Sequence, residues 1–323
     1  MCHCFCMGYA DLMAAPLLVV DMGGTHIRFA VDNQPAKVYA CADFASPYAA
    51  LKAFYATLSC RPVAVCWGRP QPKKLTKGTR INTSWQVSAS VLKKRFGLRE
   101  VYFCNDFEAA AWGVLSLSPK DQQPLTKRKM NMNSPCVVMG AGTGFGVAVI
   151  ADKKHVLPSE AGHASLPLYD PQDAPIYERA RQKYGHVSVE RILSGSGLEL
   201  IYQVFGGKSS VTAPMIAQKA RNKDALALKT FDRFFAIWGG VAGDLALQLN
   251  ATGGIGLTCG IVEQEGVWDL LKSSDFMKMF CDKGRLSAYM KTIPVCGFSA
   301  RFVAIKGLRR LYRQKNKQVK KTT

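Results

Sequence analysis

Apolar positions along the chain fall into short β-branched runs, amphipathic stretches and a few glycine-centred breaks, an order that predicts an alternating α/β protein. Leu17-Leu-Val-Val-Asp21 reads as a buried strand running into Met22-Gly-Gly-Thr25. The strand pattern resumes from Ile27 to Val31, so the pair is expected as a hairpin. Residues 47–60 have helical periodicity, Pro62 to Cys66 is a strand, and the cation-rich segment Gly68 to Arg80, with two prolines, is a loop. Val87 to Arg95 is a helix. Val101 to Cys104 is a strand that runs into Asn105-Asp106, and Phe107 to Leu115 is a helix. Polar residues 118–133 predict a link between two domains. A second unit then opens with the strand Cys136 to Met139, the turn Gly140-Ala-Gly-Thr-Gly-Phe-Gly146 and a strand through Ile150. Helices predominate over 187–250, and Gly256 to Ile261 returns to strand. Both halves open with a strand, a Gly/Thr turn and a strand, with no sequence repeat beyond that opening.

Composition narrows the class. With 323 residues, 48 % hydrophobic and 20 % charged, the chain is expected to form about two domains and is neither disordered, collagenous nor a coiled coil. Eleven cysteines, most of them scattered singly among apolar residues, read as reduced thiols of a cytoplasmic protein. The net charge of +20 is uneven: twelve Lys/Arg and no acid follow Asp282, which leaves only +8 on the rest. There Phe302, Ile305, Leu308 and Tyr312 recur at helical spacing with Arg309, Arg310 and Arg313 around them. The pattern predicts a C-terminal amphipathic helix with a solvated basic face. No nucleic-acid-binding motif accompanies it, so no nucleic acid is expected as partner. Two apolar runs, 134–151 and 234–262, are long enough to span a membrane. Glycines interrupt the first, and Gln248, Asn250 and Gly253-Gly254 the second, so no membrane association is expected. Cys2, His3, Cys4 and Cys6 alternate too closely to wrap a tetrahedral zinc, and Met13 is the expected natural start.

Three sets of residues carry candidate chemistry. The Gly/Thr turns Asp21-Met-Gly23-Gly24-Thr25 and Gly140-Ala-Gly142-Thr143 offer backbone amides without Cβ obstruction, plus a hydroxyl, to phosphate oxygens. Asp21 beside such a turn suits Mg²⁺ held through water, although an ordinary tight turn explains either motif alone. Asp106 at a strand end is placed either to take a proton from a substrate hydroxyl or to cap the following helix. Glu160, His163 and Glu190 are polar groups among apolar or small residues. They suit a polyhydroxylated ligand or simple caps and ion pairs.

The order of these segments resembles bacterial-type glucokinase (the non-zinc glucokinase family) in the sugar kinase, actin and Hsp70 superfamily. Leu18-Val-Val-Asp-Met-Gly-Gly-Thr25 resembles its first phosphate motif and Asn105-Asp-Phe-Glu-Ala-Ala110 its catalytic segment. Val138-Met-Gly-Ala-Gly-Thr-Gly-Phe-Gly-Val147 resembles its second phosphate motif. Glu160-Ala-Gly-His163 and Glu190-Arg-Ile-Leu-Ser-Gly-Ser-Gly197 are similar to its sugar-binding segments, and Gly253 to Ile261 to its adenosine-side strand. The matches are collinear over roughly residues 16–295. The resemblance implies an α/β, two-domain actin-like ATPase (ribonuclease H-like) fold with mixed sheets and an interdomain cleft. Residues 1–115 would form a small domain completed by the C-terminal helix 301–323, and residues 116–300 a large one. It further implies ATP-dependent phosphorylation of glucose at the 6-hydroxyl, feeding glycolysis, with Asp106 as general base. Asn105, Glu160, His163 and Glu190 would hold the sugar. Gly23, Gly24, Thr25, Gly142, Thr143, Gly254 and Gly260 would hold ATP, with Mg²⁺ near Asp21. Glucose and ATP are thus the expected partners, and a homodimer is compatible. His26, Thr258-Cys259-Gly260 and Phe302 to Gly307 depart from the family pattern, so the nucleotide side drifts while the sugar side is intact. A kinase of another hexose, or a catalytically weak sugar-sensing protein, are the alternatives. Against the zinc-containing repressor/kinase branch, His163 is followed by Ala-Ser-Leu-Pro-Leu-Tyr with no cysteine.

Overall fold

The computed structural model describes residues 16–70, 85–258, 266–298 and 302–322, with side chains through Asn316 in the last stretch. Residues 1–15 and Gly260 therefore lie outside the description, and with them the cysteine cluster, the proposed start and one nucleotide-side residue. The chain divides into two compact units. One comprises residues 1–116 and 302–323, the other residues 117–301.

The first unit is built on a five-stranded mixed sheet. Strands β1 (Leu17–Met22), β2 (His26–Val31) and β3 (Lys37–Ala40) form an antiparallel meander, while β4 (Ala64–Arg69) and β5 (Glu100–Asn105) continue parallel to β1, in the order β3-β2-β1-β4-β5. Helices α1 (Pro47–Tyr55), α2 (Ala89–Phe96) and α3 (Asp106–Val114) follow β3, β4 and β5. Alternating side chains of β1, β2 and β4 (Leu18, Val20, Phe29, Trp67) pack on Leu51 and Phe54 of α1 and Leu92 of α2. Ala109 of α3 and Leu308 of the C-terminal helix cover the opposite side at Gly68 of β4.

That C-terminal helix spans Val303–Thr322 and buries Ile305, Leu308 and Leu311. It approaches α3 through small residues. A Cβ on Gly307 would lie 1.7 Å from the Ala109 carbonyl oxygen, and one on Gly113 would lie 2.0 Å from that of Val303. Its basic face is less solvated than the sequence suggests. Arg309 donates to the Gln34 carbonyl (2.7 Å), Arg310 to that of Leu115 (2.7 Å), and Arg313 to Asn33 Oδ1 (3.3 Å). Flanking loop carbonyls recruit these guanidiniums, a partner that hydropathy does not display.

In the second unit, β7 (Cys136–Ala141), β8 (Phe145–Asp152) and β9 (His155–Ser159) repeat the meander, and β10 (Gly254–Leu257) and β11 (Val295–Phe298) run parallel to β7. Strand β6 (Gln122–Pro124) adds antiparallel to β11, giving the order β6-β11-β10-β7-β8-β9. The strand order of the first sheet is thus repeated, with one extra edge strand. β6 comes from the polar stretch expected as a link. An edge strand needs main-chain hydrogen bonds to one neighbour and little apolar surface, so hydropathy hides it.

Helices α4 (Ala174–Tyr184), α5 (Val189–Ile192), α6 (Gly195–Val204), α7 (Ala213–Arg221), α8 (Ala225–Gln248), α9 (Val267–Ser273), α10 (Phe276–Cys281) and α11 (Ser287–Met290) complete the second unit; the C-terminal helix is α12. Through Thr258, the apolar run that begins at Phe234 is the buried half of α8 followed by β10. Phe234 and Phe235 pack on Trp238, which in turn packs on Phe276 of α10. Its lone acid, Asp244, pairs with Lys283 Nζ at 2.7 Å and accepts from the Tyr169 hydroxyl. Among the described residues no helix is long and apolar enough to cross a membrane. The described cysteines are all free, with Cys66, Cys104, Cys136 and Cys296 buried.

Candidate functional site

Strand register places the candidate residues of the first unit on one edge of its sheet. Asp21 of β1 pairs with Gly68 of β4, Gly68 with Cys104 of β5, and Arg69 with Asn105. The carboxyl ends of three parallel strands therefore present Asp21, Arg69 and Asn105-Asp106 together, the edge at which α/β sheets bind ligands. The β1–β2 turn leaves from the same edge. Its Gly23 N–H donates to the His26 carbonyl at 3.0 Å, while Gly24, Thr25 and His26 are exposed.

Asp21 is only 13 % exposed. Its cross-strand partner Arg28 donates from Nη1 to Oδ2 at 3.0 Å. Burial pushes the Asp21 carboxyl above its usual range, and Arg28 pulls it down without cancelling that effect. A buried carboxylate with one cationic partner gains from a second cation. Mg²⁺ takes one or two carboxylates with waters and phosphate oxygens, so Asp21 fits a water-mediated role; no preformed cage of three or more acidic, His or Cys ligands exists among the described residues.

Asn105 and Asp106 divide the work at the start of α3. The sequence leaves Asp106 as a candidate helix cap, but Asn105 is the cap. Its backbone is extended (φ −68°, ψ 147°), and its Oδ1 accepts from Phe107 N (2.8 Å) and Glu108 N (3.1 Å). With the amide oxygen occupied, Nδ2 is the group Asn105 can turn to a ligand, as donor. Asp106 is the first helical residue, half-buried, with Oδ1 accepting from Phe107 N at 2.9 Å. The N-terminal turn of a helix suits a negative charge.

Arg69 was not singled out by sequence reading. It stacks 4.4 Å over Phe103 and donates to the Val87 carbonyl at 3.3 Å. The signal available was a guanidinium ending an otherwise apolar strand.

The second unit gathers its own set. Glu160 precedes and His163 ends a 3-10 turn after β9, with His163 Nε2 3.9 Å from Glu160 Oε2, and both are exposed. Glu190 of α5 accepts from Phe145 N at 2.9 Å, which ties α5 to the end of the Gly140–Gly146 turn. Gly162 lies so close that a Cβ would sit 2.0 Å from the Phe145 carbonyl oxygen. Burial raises the Glu160 pKa, His163 lowers it, and Glu190 raises it again. These three residues and the second glycine turn thus form one neighbourhood.

That turn follows the carboxyl end of β7. Gly142 N donates to the Gly144 carbonyl, Gly195 N at the start of α6 donates to the Gly142 carbonyl at 2.9 Å, and Thr143 is exposed. Thr258, buried after β10, donates from its N to Met139 O and so lies on the same edge. Gly254 does not. It pairs with Cys136 at the opposite end of the parallel strands, buried, with φ +122° and with the Pro294 carbonyl 2.8 Å from where a Cβ would sit. Its glycine answers a backbone demand there, away from the turn that Gly142 and Thr143 form.

The family model described as Glucokinase matches residues 18–315. The chain belongs to the glucokinase family. It is 34 % identical over 309 residues to a glucokinase of Neisseria meningitidis serogroup C, covering 90 % of this chain and 93 % of that protein. The crystal structure of a glucokinase from an Antarctic psychrotroph superposes with a TM-score of 0.76 at 29 % identity, covering 93 % of this chain and 99 % of that one. A ROK family glucokinase of Streptomyces griseus, solved with glucose and AMPPNP, shares the fold at a TM-score of 0.59 and 20 % identity, covering 93 % and 99 %. The two-unit mixed α/β architecture is that of the actin-like sugar kinases.

Proposed function

We propose that this glucokinase-family enzyme transfers the γ-phosphoryl group of ATP to the 6-hydroxyl of glucose. The observation that carries the reading is the repeated topology. Both sheets expose, at the carboxyl ends of their parallel strands, a glycine/threonine turn, and the first presents Asp106 on the same edge, two strands away.

In this reading Asp106 takes the proton of the glucose O6 hydroxyl as O6 attacks the γ-phosphorus. The bond from phosphorus to the β–γ bridging oxygen breaks, and ADP leaves with that oxygen's electron pair. Phosphoryl transfer gains mostly from positioning and charge stabilisation, which is what fixed turns and capped helices supply. Asn105 donates from Nδ2 to the sugar. Glu160 and Glu190 accept from its hydroxyls, and His163 completes the set. Backbone amides and hydroxyls of Gly23, Gly24, Thr25, Gly142 and Thr143 hold the phosphates. Mg²⁺, held near Asp21 through water, would neutralise phosphate charge when bound. The described cysteines, all free thiols, suit a cytoplasmic enzyme of glucose catabolism.

The test is Asp106→Asn. A general base contributes about 10²–10⁴ in rate, or roughly 3–5 kcal/mol of barrier. Turnover in a coupled ATP–glucose assay should fall by about that factor while glucose KM stays near wild type. Wild-type turnover would remove Asp106 from the chemistry. A hexose panel in the same assay ranks the acceptors, and no phosphorylation of any hexose would overturn the kinase reading.

A further inference from the structure

A second polar site lies in the first unit, on the sheet edge opposite Asp21 and Asn105. A cavity of about 540 Å³ is lined by Lys306, Arg309, Arg310 and Arg313 of α12, with Asn33 and Ser116 beside them, and among the described residues no acid lines it. Asn33 belongs to the β2–β3 turn and Ser116 follows the end of α3. Because Leu18 of β1 pairs with Val31 at the end of β2, that turn is on the amino edge of β1; Asp21 is at the carboxyl edge, roughly 10–15 Å away along the strand.

The four cations stand at i, i+3, i+4 and i+7 of one helix, a stripe about 10 Å long. Like charges at i, i+4 destabilise a helix, and the stripe holds two such pairs, Lys306 with Arg310 and Arg309 with Arg313. Repulsion by Arg313 and, more strongly, burial depress the Arg309 pKa, and the acid acting against this, Asp32, is not in ion-pair contact with it. Arg309 Nε is buried with no acceptor among the described residues. Neutral loop oxygens orient the guanidiniums: Arg309 donates to Gln34 O, Arg310 to Leu115 O, and Arg313 to Asn33 Oδ1. For Arg309 and Arg313 each such bond uses one of five N–H donors, so these forks are held in place with donors to spare. Helix stability alone would favour interspersed acids. A preoriented row of cations at a concave surface suits a multiply charged anion, and the cavity has the volume of ordinary small-molecule sites.

We infer that this pocket binds a small anion carrying two or more phosphate groups, at a site separate from the proposed catalytic edge. A single phosphate is too short to engage the whole stripe. A cavity of about 540 Å³ takes a compact ligand rather than a length of nucleic-acid strand. Arg310, by holding the carbonyl that follows α3, places the ligand at the far end of the helix that begins with Asp106.

The test is calorimetric titration of inorganic tripolyphosphate, inorganic phosphate and a single-stranded oligonucleotide into the full-length chain at low salt. Tripolyphosphate should bind, weaken as salt rises, and lose at least about tenfold in affinity in Lys306→Glu/Arg313→Glu, with inorganic phosphate markedly weaker. Both substitutions leave the Arg309 and Arg310 anchors intact. Arg313→Gln alone, at an exposed residue, should show a smaller loss in the same direction if the double variant folds poorly. Equal tripolyphosphate affinity in wild type and variants would place any binding elsewhere and overturn the proposal. So would the absence of tripolyphosphate binding, inorganic phosphate binding as tightly, or an oligonucleotide outcompeting tripolyphosphate.

Discussion

Asn105 caps α3 with one amide atom and, in the proposed reaction, donates to the sugar with the other, and two substitutions separate these tasks. Serine is about as good a cap as asparagine but lacks the long amide donor; alanine supplies neither. In Asn105→Ser the hydroxyl can still accept from the first-turn N–H groups, so stability should stay within about 0.5 kcal/mol of wild type. The missing donor removes one neutral hydrogen bond to the sugar, worth about 0.5–1.5 kcal/mol, or roughly a 2- to 12-fold rise in glucose KM. Asn105→Ala should show the same KM rise and a stability loss as well. The bond at Glu108 N is buried, so its N–H loses its acceptor without gaining water, at a cost of about 1–3 kcal/mol. At about 2–4 °C per kcal/mol, thermal melts resolve the two variants. Wild-type KM in Asn105→Ser would remove the amide from sugar binding. Equal melting of the serine and alanine variants would show that the cap contributes nothing and that the reasoning from Oδ1 is wrong.

Other outcomes follow from the same geometry. Gly307→Ala gains about 1 kcal/mol in helix propensity but drives a Cβ into the Ala109 carbonyl, so a net loss of about 1–3 kcal/mol in chemical denaturation is expected; an unchanged midpoint would mean that the α3–α12 crossing is not close-packed. Asp21 has a folded-state pKa raised above its ordinary 3.8, so the folded chain holds that proton more tightly than the unfolded chain and loses stability as pH rises through the raised value. Asp21→Asn should therefore gain melting temperature relative to wild type from about pH 4 toward neutrality while needing more Mg²⁺ for activity; a relative stability that falls over that range contradicts the burial argument. Glucose affinity should decline on acidification at a higher pH than an ordinary glutamate would set, because burial raises Glu160. His163→Gln, which removes the cation drawing it down, should move that decline to still higher pH. An identical pH profile of KM would mean that the Glu160–His163 pair does not govern sugar binding.

What the chain carries locally was legible as written. The β1–β2 and β7–β8 hairpins announce themselves because a β-branched run, a glycine pair and a second run have few backbone solutions. The apolar stripe of α12 shows in the spacing of Ile305 and Leu308, and α8 in its long apolar stretch ended by Gln248 and Asn250. The order of the phosphate-like, catalytic and sugar-like segments was likewise sufficient for the family, because collinearity survives where single motifs are ambiguous.

Tertiary structure alone decided the rest, since the deciding partners are distant in sequence or carried by the backbone. Sheet register showed that Asp21, Arg69 and Asn105 share one edge and that Gly254 lies at the wrong end of its strand for the turn of Gly142 and Thr143. Main-chain pairing made an edge strand of polar Gln122–Pro124, and carbonyls of Gln34 and Leu115 gathered arginines that hydropathy assigned to water. The repeat of one strand order in both units left almost no trace in residue identity. Topology is set by which faces are apolar and where turns fall, and many unrelated side chains meet those conditions equally well.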